Sequence, residues 1–240
     1  MTEEGTGTER APMRPARCRM RAVAEVGLTT ATNGVTGDVV AQVQKQPAVA
    51  AAAVAGGASG VRIEGVENLR AARAAVSVPI IAILKRDLDE SPVRITPYAA
   101  DVRALAEAGA DIIAYDATDR VRPEPAAALV AAIREAGCIA MADSATSEDG
   151  RRALAHGAAI LGTTLSGYTD ETAGQGDGVD TALIAAFADL GVFVMAEGRL
   201  NTPDRAAAAM AADIAELHRD LRSDKVTRRK VSTRIAAFAF

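Results

Sequence analysis

A (β/α)8 barrel, the α/β TIM-barrel class, is the fold this sequence predicts, with atypical first and last strands. Three observations predict it. Short, almost continuously apolar runs recur along the chain, and continuous rather than alternating apolarity marks strands buried on both faces of a parallel sheet. Ala-rich amphipathic stretches separate the runs, so strand and helix alternate. Each run closes on a polar residue. These residues, Arg62, Lys85, Asp116, Asp143, Thr164 and Glu197, follow one another at intervals of 23, 31, 27, 21 and 33 positions, one βα unit each. A doubly wound sheet would satisfy the first two observations, but only a barrel brings six consecutive strand ends around one pocket.

The elements follow in order. Residues 1–20 hold acids and then arginines without an apolar run, and read as a weakly ordered tail. The barrel is expected over 21–212, with a first strand at 22–28, turns at Asn33-Gly34 and Thr36-Gly37, and a first helix at 46–55. Strands are then expected at 60–62, 78–85, 109–116, 137–143, 157–164 and 191–197. A glycine precedes most of them, where a helix ends in the left-handed conformation. Helix starts are marked by Thr96-Pro97, Pro123 with Pro125, Ser147-Glu148-Asp149, Asp180 and Thr202-Pro203-Asp204. A capping side chain, or a proline lacking the amide hydrogen, settles the orphan N–H groups of a first turn. Residues 213–240 form a divergent basic C-terminal segment. No glycine follows Gly198, and 218–234 hold seven Lys/Arg against two Asp, so no last strand with a Gly-rich turn is visible there.

Composition narrows the function classes. Of 240 residues, 49% are apolar and 24% charged, with a net charge of −4, which suits a folded globular protein and not a disordered one. No apolar run is long enough for a membrane span and no signal peptide is apparent, so the expected location is the cytoplasm, without a membrane partner. Cys18 and Cys138 supply neither a disulfide framework nor a metal cluster, and no metal is expected. The basic C-terminal stretch lacks interleaved aromatics until Phe238 and Phe240, which argues against a nucleic-acid partner. An unfinished barrel edge would leave strand hydrogen bonds open, so a homodimer covering it is expected.

In barrels of this kind the site lies at the C-terminal ends of the strands. Lys85 is the most informative candidate. Only four lysines stand against 23 arginines, and between residues 46 and 224 Lys85 is alone. An apolar strand and the adjacent Arg86 would desolvate and repel its ammonium, favouring the neutral amine needed for base work; the alternative is a snorkelling surface lysine. Glu197 precedes Gly198 and Arg199, where the glycine allows a close ligand approach and the guanidinium suits an anion; an ion pair of Glu197 with Arg199 is the alternative. Asp116 and Asp143 suit hydroxyl groups or helix caps. The loop Gly162-Thr163-Thr164-Leu165-Ser166-Gly167-Tyr168-Thr169, rich in hydroxyls, suits a sugar or phosphate.

At these residues the chain resembles a known family. The stretches are Gly60-Val61-Arg62-Ile63, IIAILKRD at 80–87, Ile95-Thr96-Pro97, AGADIIAYDATDRVR at 108–122, Met141-Ala142-Asp143, GTTLSGYT at 162–169 and AEGRLNTP at 196–203. In that order they resemble the N-acetylmannosamine-6-phosphate 2-epimerase family of bacterial amino-sugar (sialic acid) catabolism. The resemblance implies a (β/α)8 barrel that interconverts N-acetylmannosamine 6-phosphate and N-acetylglucosamine 6-phosphate without a cofactor, by removal and return of the C2 proton. It implies Lys85 for that proton, and Glu197 for ring opening and the enolate. Arg62 and Asp143 are implied to bind substrate, and Arg199 with Thr164, Ser166 and Tyr168 of the 162–168 loop to contact sugar or phosphate; Asp116 and Gly198 join the candidate substrate-binding residues on their own chemistry. The chain departs from the family pattern in residues 21–45 and after residue 212. Two alternatives therefore stand beside the epimerase: a catalytically impaired sugar-phosphate-binding barrel, and a barrel isomerase or synthase acting on another phosphorylated substrate.

Overall fold

A computed structural model describes residues 38–43, 47–56, 58, 60–176, 178–200, 204–205, 208–209 and 235–239, by backbone alone over 38–43, 47–49 and 235–239. Its strands are β1 (Asp38–Val43), β2 (Gly60–Glu64), β3 (Ile80–Ile83), β4 (Ile112–Asp116), β5 (Ile139–Asp143), β6 (Ile160–Gly162), β7 (Phe193–Ala196) and β8 (Ile235–Ala239). Each pairs in parallel with the next and β8 returns to β1, closing the barrel. Between the strands lie α1 (Pro47–Ala55), α2 (Val66–Ala75), α3 (Ala99–Glu107), α4 (Ala126–Glu135), α5 (Ser147–His156) and α6 (Thr181–Ala188). The architecture is the (β/α)8 barrel that the strand-helix alternation predicts.

Successive side chains of a strand point to opposite faces, and this alternation builds two apolar layers. Ile81, Ile83, Ile112, Ile139, Met141, Ile160 and Met195 pack together inside the barrel. Their neighbours Ile80, Ala82, Ile113, Ala140, Leu161 and Val194 pack in the outer layer against helix residues such as Leu105, Leu129, Ile133 and Phe187. Both faces are buried, which is why the runs are continuous rather than alternating. The same two-residue period carries onward. Counting by twos from the inner layer reaches Lys85, Asp116, Asp143, Thr164 and Glu197, so the polar strand ends fall on the inner side of the ring.

The punctuation between the elements does the expected work. Gly109, Gly137, Gly157 and Gly191 all have positive φ, at 101, 75, 99 and 69°. Thr146 and Asp149 form a reciprocal capping box at the start of α5, and Asp180 accepts the Leu183 amide at the start of α6. One cap differs from expectation. Thr96 does not cap α3: it is buried with φ 47°, and its hydroxyl donates to the Ala114 carbonyl at 2.7 Å. The first amide of α3, Ala99, is taken instead by Glu124 from the next loop at 2.9 Å.

The two ends differ from the sequence reading. Residues 1–20 and the expected first strand at 22–28 lie outside the described residues. The strand that completes the barrel is β1 at 38–43, paired with β2 from Val40↔Gly60 to Val43↔Ile63. Residues 213–240 showed no strand in the sequence, yet 235–239 form β8, with Val39↔Ala237 on one side and Met195↔Ala236 on the other. Three of its five residues are alanine, a poor strand former, and neither a preceding glycine nor a closing polar residue marks it. With the ring closed, the open edge on which the expectation of a dimer rested is gone.

Helix packing yields a first prediction. Gly150 lies buried in α5, and a methyl group there would sit 2.3 Å from Cε1 of the fully buried Phe187 and 3.1 Å from Leu161. Gly150→Ala gains about 1 kcal/mol of helix propensity, but overpacking a closed site costs about 1–3 kcal/mol. The melting temperature is expected to fall by a few degrees, and an unchanged or higher value would contradict this packing.

Candidate active site

A cavity of about 460 Å³ opens at the C-terminal ends of the strands. Lys85, Asp116, Thr164, Tyr168, Glu197, Gly198 and Arg199 all line it. Seven sequence candidates, from β3, β4 and the loops after β6 and β7, therefore converge on one space.

Arg62 and Asp143 lie behind that wall. They are 2% and 0% exposed and are not among the cavity-lining residues. Arg62 grips Asp143 with two nitrogens, at 2.6 and 3.1 Å, and reaches both oxygens of Glu197 at 2.8 and 2.9 Å. Thr164 Oγ1 lies 2.8 Å from Asp143 and 2.7 Å from Glu197. Thr163 locks the Glu197 backbone, accepting its amide and donating to its carbonyl, both at 2.9 Å. Burial works against the Arg62 charge, but the facing carboxylates more than offset it and hold its pKa above the ordinary value. Burial also pushes the Glu197 carboxyl up, to about 7, with Arg62 opposing the shift and Asp143 adding to it. A carboxylic acid with such a value can donate a proton near neutral pH.

Ser166 does not face the cavity. It is 1% exposed and donates to Asp180 at 2.6 Å, holding the loop to the start of α6. Asp116 lines the cavity but is committed to Thr118 and Arg120, each at 2.6 Å; burial raises its pKa against the pull of those partners. The alternative reading, an ion pair of Glu197 with Arg199, does not form; Arg199 instead donates to the Gly176 carbonyl at 2.7 Å. Its backbone is left-handed, φ 61°, next to Gly198 at 82°, and its guanidinium lies so close to Gly167 that a Cβ there would meet Nη1 at 2.2 Å. The Arg199 Nε is buried with no partner among the described residues.

The surroundings of Lys85 differ from expectation as well. Its side chain is exposed, so the strand does not desolvate it. Arg86 turns away to Asp101 of α3, with contacts of 2.5–3.1 Å, and is no second cation pressed against it. What Lys85 has is position: among the described residues its ammonium has no partner, and it faces the same cavity as Glu197.

Sequence reasoning missed Pro92, Arg94, Ile95 and Arg120, which also line the cavity. The first three come from the loop between β3 and α3, folded back by antiparallel bridges Lys85↔Ile95 and Leu88↔Ser91. No periodicity announces so short a hairpin. Arg120 had a signal, its spacing of four from Asp116, with which it pairs. Among the described residues no cluster of His, Cys, Asp or Glu is arranged to hold a metal ion, and no helix is long and apolar enough to cross a membrane.

Residues 46–218 match the model of a family described as "Putative N-acetylmannosamine-6-phosphate epimerase". A protein of Aliivibrio fischeri (strain ATCC 700601 / ES114) named "Putative N-acetylmannosamine-6-phosphate 2-epimerase" is 56% identical over 165 residues, 69% of either chain. One of the same name from Vibrio cholerae (serotype O1, strain M66-2) is 49% identical over 176 residues, 73% of this chain and 72% of that one. The solved structure of the N-acetylmannosamine-6-phosphate 2-epimerase from Clostridium perfringens superposes with a TM-score of 0.69 at 31% identity, covering 84% of this chain and 86% of that one. By sequence over most of its length, and by fold, the chain belongs to the N-acetylmannosamine-6-phosphate epimerase family.

Proposed function

We propose that the chain is an N-acylglucosamine-6-phosphate 2-epimerase, interconverting N-acetylmannosamine 6-phosphate and N-acetylglucosamine 6-phosphate. The observation that carries the reading is that Lys85 and Glu197, from strands on different sides of the ring, line one cavity. The hydrogen at C2 is acidic only in the open-chain sugar, where the C1 aldehyde can take the electron pair as an enolate. Glu197 assists ring opening and gives a hydrogen bond to the developing charge on the C1 oxygen. Lys85 takes the C2 proton; its return to the other face of the planar carbon gives the epimer. Arg62 and Asp143 act on the sugar through Glu197, in place of the direct contact expected of them, because both are buried behind it. Asp116, Thr164, Tyr168 and Gly198 form walls against which the sugar lies, and Ser166 shapes the loop that carries two of them. So charged a substrate does not cross membranes unaided, which supports a cytoplasmic enzyme. The test is conversion: either 6-phosphate supplied alone should yield the other, and failure with both would overturn the reading.

The phosphate falls to Arg199, a lining cation with no carboxylate partner among the described residues. A charged hydrogen bond is worth about 1.5–3 kcal/mol, so Arg199→Ala is expected to raise KM for the phosphorylated sugar by about 10- to 100-fold. Non-phosphorylated N-acetylmannosamine should be converted equally poorly by parent and variant. An unchanged KM would assign the phosphate elsewhere.

A further inference from the structure

Thr164 stands between two buried carboxyl groups with a single hydrogen to give. Its Oγ1 is 2.8 Å from Asp143 Oδ1 and 2.7 Å from Glu197 Oε2. A hydroxyl donates once. If both carboxyls were ionised, one of these two contacts would set lone pair against lone pair at hydrogen-bond distance. Arg62 does not supply the missing hydrogen, because its Nη1 already faces three oxygens, Asp143 Oδ1 and both of Glu197, with two hydrogens. The cluster is short of one proton. The proton belongs on Glu197, since Asp143 keeps the two-nitrogen grip of the guanidinium while Glu197 shares one nitrogen.

We propose that Thr164 is a positioning residue that holds Glu197 in its protonated form, through the chain Glu197 Oε2–H to Thr164 Oγ1–H to Asp143 Oδ1. This deepens the epimerase reading, in which Glu197 must enter the cycle as an acid, and rests on it for its consequence but not for its geometry. The arrangement is built into the strand tips. Gly162, two residues before Thr164, leaves the room: a Cβ there would meet Met141 at 2.8 Å, Thr164 Oγ1 at 3.0 Å and Asp143 Oδ1 at 3.3 Å. Among the described residues the other charged groups at the site are Arg62 from β2, Lys85 after β3, Asp116 and Arg120 from β4 and its loop, Arg94 from the folded-back loop, and Arg199 beside Glu197. Of these only Arg62 also bridges the two carboxyls, and it does so purely as a donor, whereas the Thr164 hydroxyl can accept from one and donate to the other.

The direction of one shift tests the proposal. If Thr164 accepts from neutral Glu197, removing the hydroxyl in Thr164→Val takes a partner from the acid form, and the midpoint of Glu197 falls by about one pH unit. If Thr164 instead donates to an ionised Glu197, the same change raises it. The measurement is the pH titration of 13C-labelled carboxyl carbons in the ligand-free protein, with Glu197 assigned from the signal lost in Glu197→Gln. A lowered midpoint in Thr164→Val, restored in Thr164→Ser, supports the chain of bonds; a raised or unchanged midpoint overturns it. Should Thr164→Val not fold, the unmodified protein decides, because an Asp143 carbon that takes up the proton before Glu197 does overturns the proposal. In turnover, the alkaline limb of kcat should move down with the Glu197 midpoint. Loss of all epimerase activity in the unmodified protein would overturn the functional reading and leave the titration result standing.

Discussion

Lys85→Ala is expected to lose deuterium incorporation at C2 of either epimer by a factor of about 10²–10⁴, the usual worth of a positioned acid–base group. The fold should be untouched. Lys85 is exposed and its ammonium has no partner among the described residues, so the melting temperature should stay within a degree or so of the parent's. Loss of exchange without loss of stability separates a catalytic lysine from a structural one. Exchange within tenfold of the parent would remove Lys85 from the reaction and leave Glu197 without a partner across the cavity.

Arg62→Ala should have the opposite profile, with its largest effect on stability. The guanidinium is the cation shared by two carboxyl groups that are themselves buried. Its removal leaves Asp143 without a counter-charge and Glu197 without its nitrogen partner, and uncovering one side of a buried ion pair costs about 3–5 kcal/mol. For a chain of this size that lowers the melting temperature by on the order of 10 °C at neutral pH. The pH dependence has a definite sign. Without Arg62 the folded-state value of Glu197, already pushed up to about 7, rises further above its unfolded value, so the folded variant binds more protons than the unfolded chain. The variant is then least damaged below about pH 4, where both states are protonated. It loses stability relative to the parent as the pH rises through the raised folded value of Glu197. Thermal melts at pH 5 and pH 8 check this: the gap from the parent should widen at pH 8. An equal gap at both would mean that lost packing, not unpaired charge, governs the site.

The barrel was legible because its central strands obey two independent rules at once. Runs such as Ile112-Ile113-Ala114-Tyr115 are apolar without alternation because both faces are buried, and the residue that follows, Asp116, falls on the inner side at the rim. Reading the last polar residue of each run therefore found four residues of the cavity wall, Lys85, Asp116, Thr164 and Glu197, from spacing alone. The same rule could not tell a residue that touches the cavity from one locked beneath it. Arg62 and Asp143 close their runs just as Lys85 does, and only the two-nitrogen contact between them shows that they are bound to each other. Ser166 was lost for a similar reason, since a hydroxyl in a loop has no period to betray its direction. At the ends the signals themselves were missing. β8 is made of Ile235-Ala236-Ala237-Phe238-Ala239, a sequence equally at home in a helix, and its pairing with β1 and β7 is a long-range fact that no local pattern carries. The desolvation of Lys85 was expected from its neighbours in sequence, but the hairpin after β3 turns Arg86 outward to α3 and leaves the lysine in the open mouth.

The account turns on a proton leaving and returning at one carbon. The intact protein, incubated with N-acetylmannosamine 6-phosphate in D2O and followed by NMR, should place deuterium at C2 of product and of recovered substrate as the two epimers equilibrate. Equilibration with the C2 hydrogen retained, or no exchange with either epimer, would contradict it.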